Sequence, residues 1–383
     1  MEDEKSNADK KVKWGIMGTA SIVRKKFAPA LHRAGNARLK ALASRSSSRA
    51  EKFVEEYIPS AGVDSESDES SIEIYASYEE LLEDEEIDAV YISLPNHMHY
   101  TWSRRALKAG KHVLCEKPLV LSSGEGEELF RLAEKEGRFL MEGFMYRFRP
   151  LTERVIELAR KELGKITQVR ASFCYQSSRP AGDIRFQSET GGGALYDVGC
   201  YLVDFISNLF CQLPDAVFAH SLPADRGDVD GQGSALLIYE NRGICPALST
   251  TGTEPPAGSE GVTKTQVNLT YGLTLPGSKG LEIVGDRGRL LAPRFFHWQQ
   301  SGSRHIELEK NEERMEITLP AADQFKNEIE YFSRMALSWP EGIKEAAITS
   351  QESLNNLAII EAIRKSAEEG EVVRLEENAE REE

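Results

Sequence analysis

Lys117 has the residue type and the surroundings for proton transfer to or from a hydroxyl or carbonyl group. It follows Glu116 and precedes Pro118 at the end of the short apolar run in KHVLCEKPL, residues 111–119. Such a run is typical of a buried parallel strand, and open α/β sheets build their ligand sites at the carboxyl ends of their strands. The point charge and shiftable pKa of lysine suit alcohol and carbonyl chemistry. An exposed lysine before a helix-starting proline fits these residues equally well.

A second candidate set lies in GGGALYDVGCYLVD, residues 191–204, where Asp197, Tyr201 and Asp204 stand at i, i+4 and i+7. On a helix these positions share one face. A tyrosine beside an acid in a cleft can relay a proton, with the tyrosine as donor or base and the acid orienting the substrate. Taken alone, the pattern is more typical of a half-buried packing pair.

The elements that must position Lys117 alternate between short apolar runs and amphipathic stretches from Val12 to about Phe148, which predicts βαβ units and a parallel sheet. Strands are predicted over 12–17, 38–43, 89–94, 112–115 and 139–144, with helices over 22–33, 49–57, 78–82, 101–108 and 124–136.

After Pro150 strands follow one another without alternating helices, which predicts a second, α+β domain with an open, mostly antiparallel sheet. Strands are predicted over 168–175, 234–239, 266–275, 281–284, 305–308 and 315–319, with helices over 152–163 and 194–209 and two final helices, 324–337 and 353–366, packed on this domain.

The predicted fold class is therefore α/β: an N-terminal Rossmann-like doubly wound parallel sheet plus a C-terminal α+β domain. The predicted domains are a flexible tail over 1–10, a nucleotide-binding domain over 11–148, a substrate-binding and oligomerisation domain over 149–375 and an acidic tail over 376–383. Acidic residues 64–71 and Gly/Pro-rich residues 250–261 are predicted loops.

The first strand runs into GIMGTASIV, residues 15–23, and then into a helix, which is where a dinucleotide pyrophosphate would meet a helix N-terminus. The strict GxGxxG pattern is not met, because Ala20 and Val23 stand where its second and third glycines would be. Ala20 is the smallest substitute for glycine, so close backbone approach is retained. A tight strand-to-helix turn without a ligand is the alternative.

The tip of the second strand reads ASRSSSRA, residues 43–50, and lacks the acid that would bind the ribose 2′-hydroxyl of NAD. Arg45 matches a 2′-phosphate instead, and Ser44, Ser46 and Ser47 can add hydrogen bonds. The sequence thus favours NADP, with NAD as the alternative. Alternatively, no ligand binds here, and Arg45 and Arg49 form the basic start of a solvated helix.

Two further segments lie where a cleft is expected. LPNHMHY, residues 94–100, places Asn96, His97 and His99 after an apolar strand, and His97 is interpreted as a helix-start residue. FMYRFRP, residues 144–150, packs aromatic residues around Arg147 at the domain junction, where clefts form. An aromatic hinge between domains is the alternative role of this segment.

Charge and cysteine content exclude several classes of protein. The formal net charge of −15 over 383 residues argues against binding to nucleic acid or to an anionic membrane. The five cysteines are widely spaced and form no CxxC pair, which predicts reduced thiols and no zinc site. A polar start and the lack of a long apolar run predict an untargeted, cytoplasmic protein.

Taken together, GIMGTASI, ALASR, YISLPNHMH, AGKHVLCEKPL, EGFMYRFRP and GGGALYDVGCY resemble, in this order and spacing, the Gfo/Idh/MocA oxidoreductase family. The resemblance spans nearly the whole chain. It is strongest to the branch with dimeric dihydrodiol dehydrogenase, NADP-dependent D-xylose dehydrogenase and glucose-fructose oxidoreductase. This branch carries tyrosine at the position of Tyr201, where inositol dehydrogenase-like members carry histidine.

The resemblance implies a role for each matching residue. For the cofactor, the pyrophosphate turn would comprise Gly15, Gly18, Thr19, Ala20 and Ile22, the adenosine ribose would contact Ser44 and Arg45, and the nicotinamide half would be bordered by Leu94, Pro95, Asn96 and His99. The reaction centre would hold Glu116, Lys117 and Pro118, with Asp197 and Tyr201 facing them. Arg147 and Phe148 would contact the substrate. Arg149 stands where this branch often has histidine, which affects the expected substrate. For Glu116, ribose contact and strand-end packing both stay open.

The expected activity is NADP-dependent hydride transfer between the nicotinamide and a sugar (aldose C1) or cyclic trans-diol hydroxyl, with Lys117 as the cation beside Tyr201 and Asp197 bound to a neighbouring hydroxyl. One alternative is a carbonyl or dicarbonyl reductase that runs the same site in reverse. The other is an NADP-binding regulator without turnover. No metal is expected, and the resemblance implies a homodimer formed through the open sheet.

Overall fold

The computed structural model describes residues 10–61, 72–180, 182–240, 264–297, 304–340 and 347–375. The predicted loops over 64–71 and 250–261, the acidic tail and nearly all of the N-terminal tail lie outside these residues. The chain divides into two compact units. The first comprises Met1–Val120, Gly124–Arg149 and Asp323–Ser350, and the second comprises Leu121–Ser123, Pro150–Ala322 and Gln351–Glu383.

The first unit contains a six-stranded, entirely parallel sheet in the order β3-β2-β1-β4-β5-β6. From β1 the chain order runs through β2 and β3 toward one edge of the sheet, and from β4 it runs through β5 and β6 toward the other edge. In such sheets the ligand crevice lies at the carboxyl ends of the two strands where the order switches, which are β1 and β4 here. The predicted doubly wound parallel sheet is confirmed. Its strands are β1 (Val12–Met17), β2 (Ala37–Ala43), β3 (Glu73–Tyr75), β4 (Ala89–Ile92), β5 (His112–Glu116) and β6 (Leu140–Gly143).

Helices connect these strands as the alternating pattern predicted. The helix after β1 is π-helical over Val23–Phe27 and α-helical afterwards. Ser77 caps the helix that begins at Tyr78, because its hydroxyl accepts a 3.1 Å hydrogen bond from the Glu80 amide. They are α1 (Ala28–Arg33), α2 (Ser47–Ala61), α3 (Tyr78–Glu83), α4 (His99–Lys108) and α5 (Ser123–Lys135), with 3₁₀ turns at Asn96–Met98 and Met145–Phe148.

Helix α8 (Gln324–Ser338) also belongs to the first unit, so the prediction that it packs on the second domain is wrong. The Trp14 indole of β1 donates a 3.1 Å hydrogen bond to Ser333, and its ring centre lies 4.9 Å from that of Phe332. The ring centre of Phe139 lies 5.0 Å from that of Phe332. An amphipathic pattern shows that a helix has an apolar face, but it does not show which sheet that face covers.

The second unit contains a ten-stranded sheet in the order β15-β14-β13-β12-β7-β10-β9-β8-β16, with β11 paired to β7. Only the pair β7 and β10 is parallel among its pairings, which confirms the mostly antiparallel sheet. The strands are β7 (Ile166–Gln176), β8 (Ala216–Pro223), β9 (Asp230–Glu240), β10 (Lys264–Gly272), β11 (Thr274–Ser278), β12 (Leu281–Gly285), β13 (Gly288–Ala292), β14 (Arg304–Lys310), β15 (Glu313–Leu319) and β16 (Val373–Arg374).

Helices cover one face of this sheet. They are α6 (Pro150–Glu162), α7 (Cys200–Phe210), which continues a π-helical segment Leu195–Gly199, and α9 (Ser350–Glu369). Phe210 of α7 stacks on Tyr239 of β9 with ring centres 4.4 Å apart. On alternate residues of the strands, side chains point to the opposite face, where Phe218 is 45% exposed.

Cys115, Cys174 and Cys200 are buried free thiols. The predicted reduced state is confirmed for these three thiols. No helix among the described residues has the length and apolar character needed to cross a membrane.

Candidate active site

Gly15 of β1 and Gly18 in the turn after β1 are glycines for different structural reasons. Gly18 has φ 96°, and a Cβ there would lie 3.0 Å from the Leu94 side chain. Gly15 is packed so that a Cβ would lie 2.9 Å from Leu81 of α3. Gly18 therefore provides the left-handed turn, and Gly15 allows α3 to approach the sheet.

This turn can hold an anionic group at the start of a helix. The first hydrogen bond there runs from the Arg24 amide to the Ala20 carbonyl (3.3 Å). Amides of a first helical turn have no partner within the helix, and they attract phosphate oxygens. Thr19, Ala20 and Ile22 are half-buried at this point, so a dinucleotide pyrophosphate fits the donors present.

The end of β2 presents a cation and no acid. Ser44 is buried, and its hydroxyl accepts a 3.3 Å hydrogen bond from the Ser46 amide. Arg45 is exposed beside the Tyr78 hydroxyl, where burial raises the pKa of Tyr78 and Arg45 opposes that shift. The side chain of Ser47 lies outside the described residues. An exposed guanidinium at this strand tip fits a 2′-phosphate.

Lys117 follows the last residue of β5 at the carboxyl edge of the sheet, as predicted. Glu116 accepts a 2.5 Å hydrogen bond from the Tyr91 hydroxyl of β4, so it takes part in strand-end packing. The next peptide bond, Lys117–Pro118, is cis. The Leu119 amide then donates a 2.9 Å hydrogen bond to the Glu142 carboxylate of β6.

His99 links two loops at this edge. It is fully buried, and its two ring nitrogens lie 2.8 Å from the carbonyl oxygens of Leu94 and Pro118. A neutral imidazole donates only one hydrogen bond, whereas a protonated ring donates to both carbonyls. Burial lowers the pKa of His99, and the two carbonyl groups act in the opposite sense. His99 thus positions the Leu94–Asn96 and Lys117 segments, and its direct contact with a cofactor stays a prediction.

Two acids beneath this loop were missed by the sequence reasoning. Glu142 and Glu328 are each 2% exposed. Burial raises the pKa of Glu328 well above its usual range, and the negative charge of Glu116 adds to the shift. The available signal was an acid inside an apolar strand (LMEG) and an acid on the buried face of α8.

Arg147 and Phe148 are buried within the first unit. Arg147 donates a 2.6 Å hydrogen bond to the Ala347 carbonyl, and the Phe148 ring lies 5.1 Å from that of Tyr331. Arg149 is also buried and donates to the Tyr146 carbonyl (3.1 Å). These contacts give the segment a packing role, while its contact with substrate stays a prediction.

In the second unit, the start of the helix that carries Asp197 is fixed by a neighbouring carboxylate. Asp230 of β9 accepts a 2.9 Å hydrogen bond from the Leu195 amide. Gly193 has φ 116°, and a Cβ there would overlap the Asp230 carboxylate at 2.2 Å. The last glycine of GGGAL is therefore required for this helix start.

Asp197 is held by a tyrosine and an arginine. Tyr175 of β7 donates a 2.7 Å hydrogen bond to Oδ2, and the Arg185 Nε lies 3.4 Å from Oδ1. Arg185 also pairs with Asp183 at 3.0 Å. Burial raises the pKa of Tyr175, and the charge of Asp197 raises it further, so the phenol stays protonated as the donor in this pair. Asp197 is a positioned carboxylate that can accept a hydrogen bond.

Tyr201 lies at the start of α7, and its ring centre is 5.5 Å from that of Phe173 in β7. Asp204 is fully buried and accepts a 3.1 Å hydrogen bond from Asn356 of α9. Asp197 and Tyr201 thus both contact side chains of β7, whereas Asp204 contacts α9.

Lys279 joins the same cluster and was also missed by the sequence reasoning. Its Nζ lies 5.3 Å from the ring centre of Phe173 and 6.0 Å from that of Tyr175. Tyr175, Arg185 and Lys279 come from a strand end and two connecting segments. No spacing rule links such positions to a helix residue, so only the folded sheet reveals the cluster.

Comparison with protein families decides the assignment of the fold. Residues 12–144 match the model of the GFO/IDH/MocA oxidoreductase family with its NAD-binding Rossmann fold, and residues 157–291 match the GFO/IDH/MocA C-terminal domain. The chain belongs to the Gfo/Idh/MocA oxidoreductase family. The resemblance inferred from the six motifs is confirmed.

Several characterised members of the Gfo/Idh/MocA family are similar over most of the chain. A D-xylose 1-dehydrogenase (NADP(+)) of Haloferax volcanii is 34% identical, with 95% of this chain and 99% of the relative aligned. A trans-1,2-dihydrobenzene-1,2-diol dehydrogenase of Xenopus tropicalis is 33% identical over 60% of this chain and 66% of its own. The crystal structure of a 3-ketoreductase from Actinomadura kijaniata with NADP and TDP-benzene has a TM-score of 0.75 at 31% identity, covering 93% of this chain and 98% of that one.

As in other Gfo/Idh/MocA oxidoreductases, the reaction expected here uses a dinucleotide and side chains. Among the described residues no group of three or more His, Cys, Asp and Glu side chains is arranged to hold a metal ion. The roles predicted for the individual site residues stay predictions, and they are taken up next as a proposal.

Proposed function

We propose that this protein is an NADP-dependent oxidoreductase that transfers hydride between the nicotinamide and a hydroxyl-bearing carbon of a sugar or cyclic trans-diol. The observation that carries the proposal is the Asp197 carboxylate, held by Tyr175 and Arg185, one helical turn before Tyr201. A fixed acceptor next to a phenol is the arrangement needed to bind a diol and exchange a proton with one of its hydroxyls.

The cofactor assignment is supported by the turn and by the strand tip. Gly18 provides the turn, the helix start provides amide donors, and Arg45 provides a cation in place of the acid that binds a ribose hydroxyl. We propose NADP rather than NAD on these grounds. The xylose dehydrogenase and the crystallised ketoreductase are both named with NADP, which supports the choice.

In this proposal each residue has one task. When bound, NADP would supply the nicotinamide ring that accepts or donates the hydride. Tyr201 exchanges the proton of the reacting hydroxyl, Lys117 stabilises the negative charge that develops on its oxygen, and Asp197 accepts a hydrogen bond from a neighbouring hydroxyl. The related ketoreductase has been crystallised with one lysine replaced and with one tyrosine replaced. These variants support the choice of a lysine and a tyrosine as the reacting residues.

The reverse direction, reduction of a carbonyl group, uses the same residues because proton and hydride transfer are reversible. The similarity to a 3-ketoreductase supports carbonyl reduction as a second candidate function. A regulator that binds NADP without turnover would have no need for the ordered Asp197 network.

The test is absorbance of the reduced nicotinamide with NADP or NAD and a panel of aldoses, cyclic diols and ketones. Turnover should require NADP, and Lys117→Ala should lower kcat by about a thousandfold or more while NADPH binding changes little. Lys161→Ala, an exposed lysine paired with Glu157, is the matched control. Tight NADPH binding with no turnover on any compound would favour the regulator, and wild-type kcat in Lys117→Ala would contradict the role of that lysine.

We further propose a homodimer formed through the open face of the second sheet. Phe218 is 45% exposed on this face, and Leu236 and Ile238 on the neighbouring strand are half-buried. An apolar patch on a sheet face is typical of an interface between subunits.

A further inference from the structure

Lys279 places its ammonium group over the aromatic pair that also contacts the proposed reacting residues. The Phe173 ring, which lies 5.3 Å from Lys279 Nζ, is 5.5 Å from the Tyr201 ring. Tyr175, which lies 6.0 Å from the same ammonium, donates its hydroxyl to Asp197. Two adjacent side chains of β7 thus connect Lys279 to both Tyr201 and Asp197.

The backbone fixes this lysine just before β12. Its carbonyl accepts a 3.1 Å hydrogen bond from the Phe296 amide, and the Phe296 ring stacks on Phe173 with centres 5.8 Å apart. The stem of Lys279 is therefore held beside the aromatic pair, and attraction between the cation and the ring faces keeps its head there.

The charges around Lys279 are unbalanced. Arg179 and Arg185 both pair with Asp183, and Arg185 also pairs with Asp197. No carboxylate in the described part of the chain lies within ion-pair distance of Lys279, and burial lowers the pKa of its ammonium group. Lys279 is therefore an ammonium group without a counter-ion among the described residues, in a chain whose formal charge is −15.

We propose that Lys279 is a specificity-determining residue that binds an anionic substituent, a phosphate or a carboxylate, on the sugar or diol that reacts at Tyr201. This inference rests on the function proposed above. A half-buried ammonium without a counter-ion gains charge-assisted hydrogen bonds when an oxyanion arrives. A neutral sugar offers only hydroxyl oxygens, so it gains less from the same contact.

The test compares matched neutral and anionic substrates under steady-state conditions with NADP. The pairs are D-glucose with D-glucose 6-phosphate and D-galactose with D-galacturonate, which separate phosphate from carboxylate. Parent enzyme should favour at least one anionic member by about tenfold or more in kcat/KM. Lys279→Met should lower kcat/KM for that member by about tenfold to a hundredfold, mainly through KM, and change the neutral member by less than about threefold.

Two further variants make the result specific. Lys279→Arg should retain the preference for the anionic member, because guanidinium also binds oxyanions. Lys161→Met, an exposed lysine on α6, should leave every value unchanged. A parent enzyme that favours the neutral member of both pairs, or a Lys279→Met variant that affects both members equally, would overturn the inference. NADPH binding without turnover of any member or of the wider panel would instead overturn the proposed function itself.

Discussion

The Tyr175 hydroxyl donates a 2.7 Å hydrogen bond to Oδ2 of Asp197. This bond joins β7, in the middle of the second sheet, to the start of the helix that carries Tyr201. Removing this donor takes one hydrogen bond from a partly buried carboxylate, which Arg185 still contacts, and gives the carboxylate more rotational freedom. Tyr175→Phe should therefore lower kcat/KM by about tenfold to a hundredfold, the value of one hydrogen bond to a charged group. Steady-state kinetics test this, and the lost hydrogen bond should also lower the melting temperature by a few degrees. Tyr100→Phe, which removes a similar bond to Glu128 on the surface, is the control and should retain full activity.

Gly18→Ala should weaken NADPH binding and destabilise the first unit. The residue has φ 96°, where an L side chain costs about 1–2 kcal/mol, and the new Cβ would press on Leu94 at 3.0 Å. Fluorescence titration with NADPH and thermal unfolding measure the two effects. Gly124→Ala is the control, because nothing lies within 4 Å of a Cβ there and alanine favours the helix. Unchanged NADPH affinity in Gly18→Ala would contradict the role of this turn.

Glu328→Gln should change how stability depends on pH. The folded-state pKa of Glu328 is raised by burial, so the folded protein binds this proton more tightly than the unfolded chain does. Stability from this group is fully present below the unfolded pKa and is lost as pH rises through the folded value. The melting temperature of Glu328→Gln relative to the parent should therefore increase with pH above about 4.3. Parallel curves for the two proteins would refute the prediction, and Glu55→Gln on the exposed surface of α2 controls for the general effect of losing an acid.

Phe218→Glu should convert the expected dimer to monomer, because a charge would be buried in an apolar interface. Sedimentation velocity at micromolar concentration measures the change. Ile74→Glu, at a 37% exposed position of β3 in the first unit, is the control and should sediment like the parent. A parent protein that is already monomeric would contradict the proposed dimer.

Particular residues show what the sequence could predict and what it could not. The strand Val12–Met17 and the helix after it follow from a local apolar run and its periodicity, so their bounds were found almost unchanged. Strand β8 was not predicted, because most of its residues are exposed or half-buried, and β13 (GRLLA) was not predicted either. The single predicted strand over 266–275 is divided in the structure, with β10 ending at Gly272 and β11 beginning at Thr274.

For the site, the sequence identified residues that lie on regular elements or at their ends, such as Lys117 after β5 and Asp197 and Tyr201 on a helix. It did not identify Arg185 and Lys279 in the second unit or Glu328 in the first, because each meets its neighbours only through tertiary packing. It also grouped Asp204 with Asp197 by helical spacing, whereas Asn356 of α9 binds Asp204.

The return of α8 to the first sheet has a consequence for biosynthesis. Trp14 and Phe139 can contact Phe332 only after residues 150–322 of the second unit have been translated and α8 has left the ribosome. Until then a nascent Rossmann sheet must keep this apolar surface uncovered, and chaperones or transient non-native packing would have to protect it. A fragment that stops at Arg149 should accordingly aggregate, and addition of a peptide with the sequence of α8 should restore its solubility.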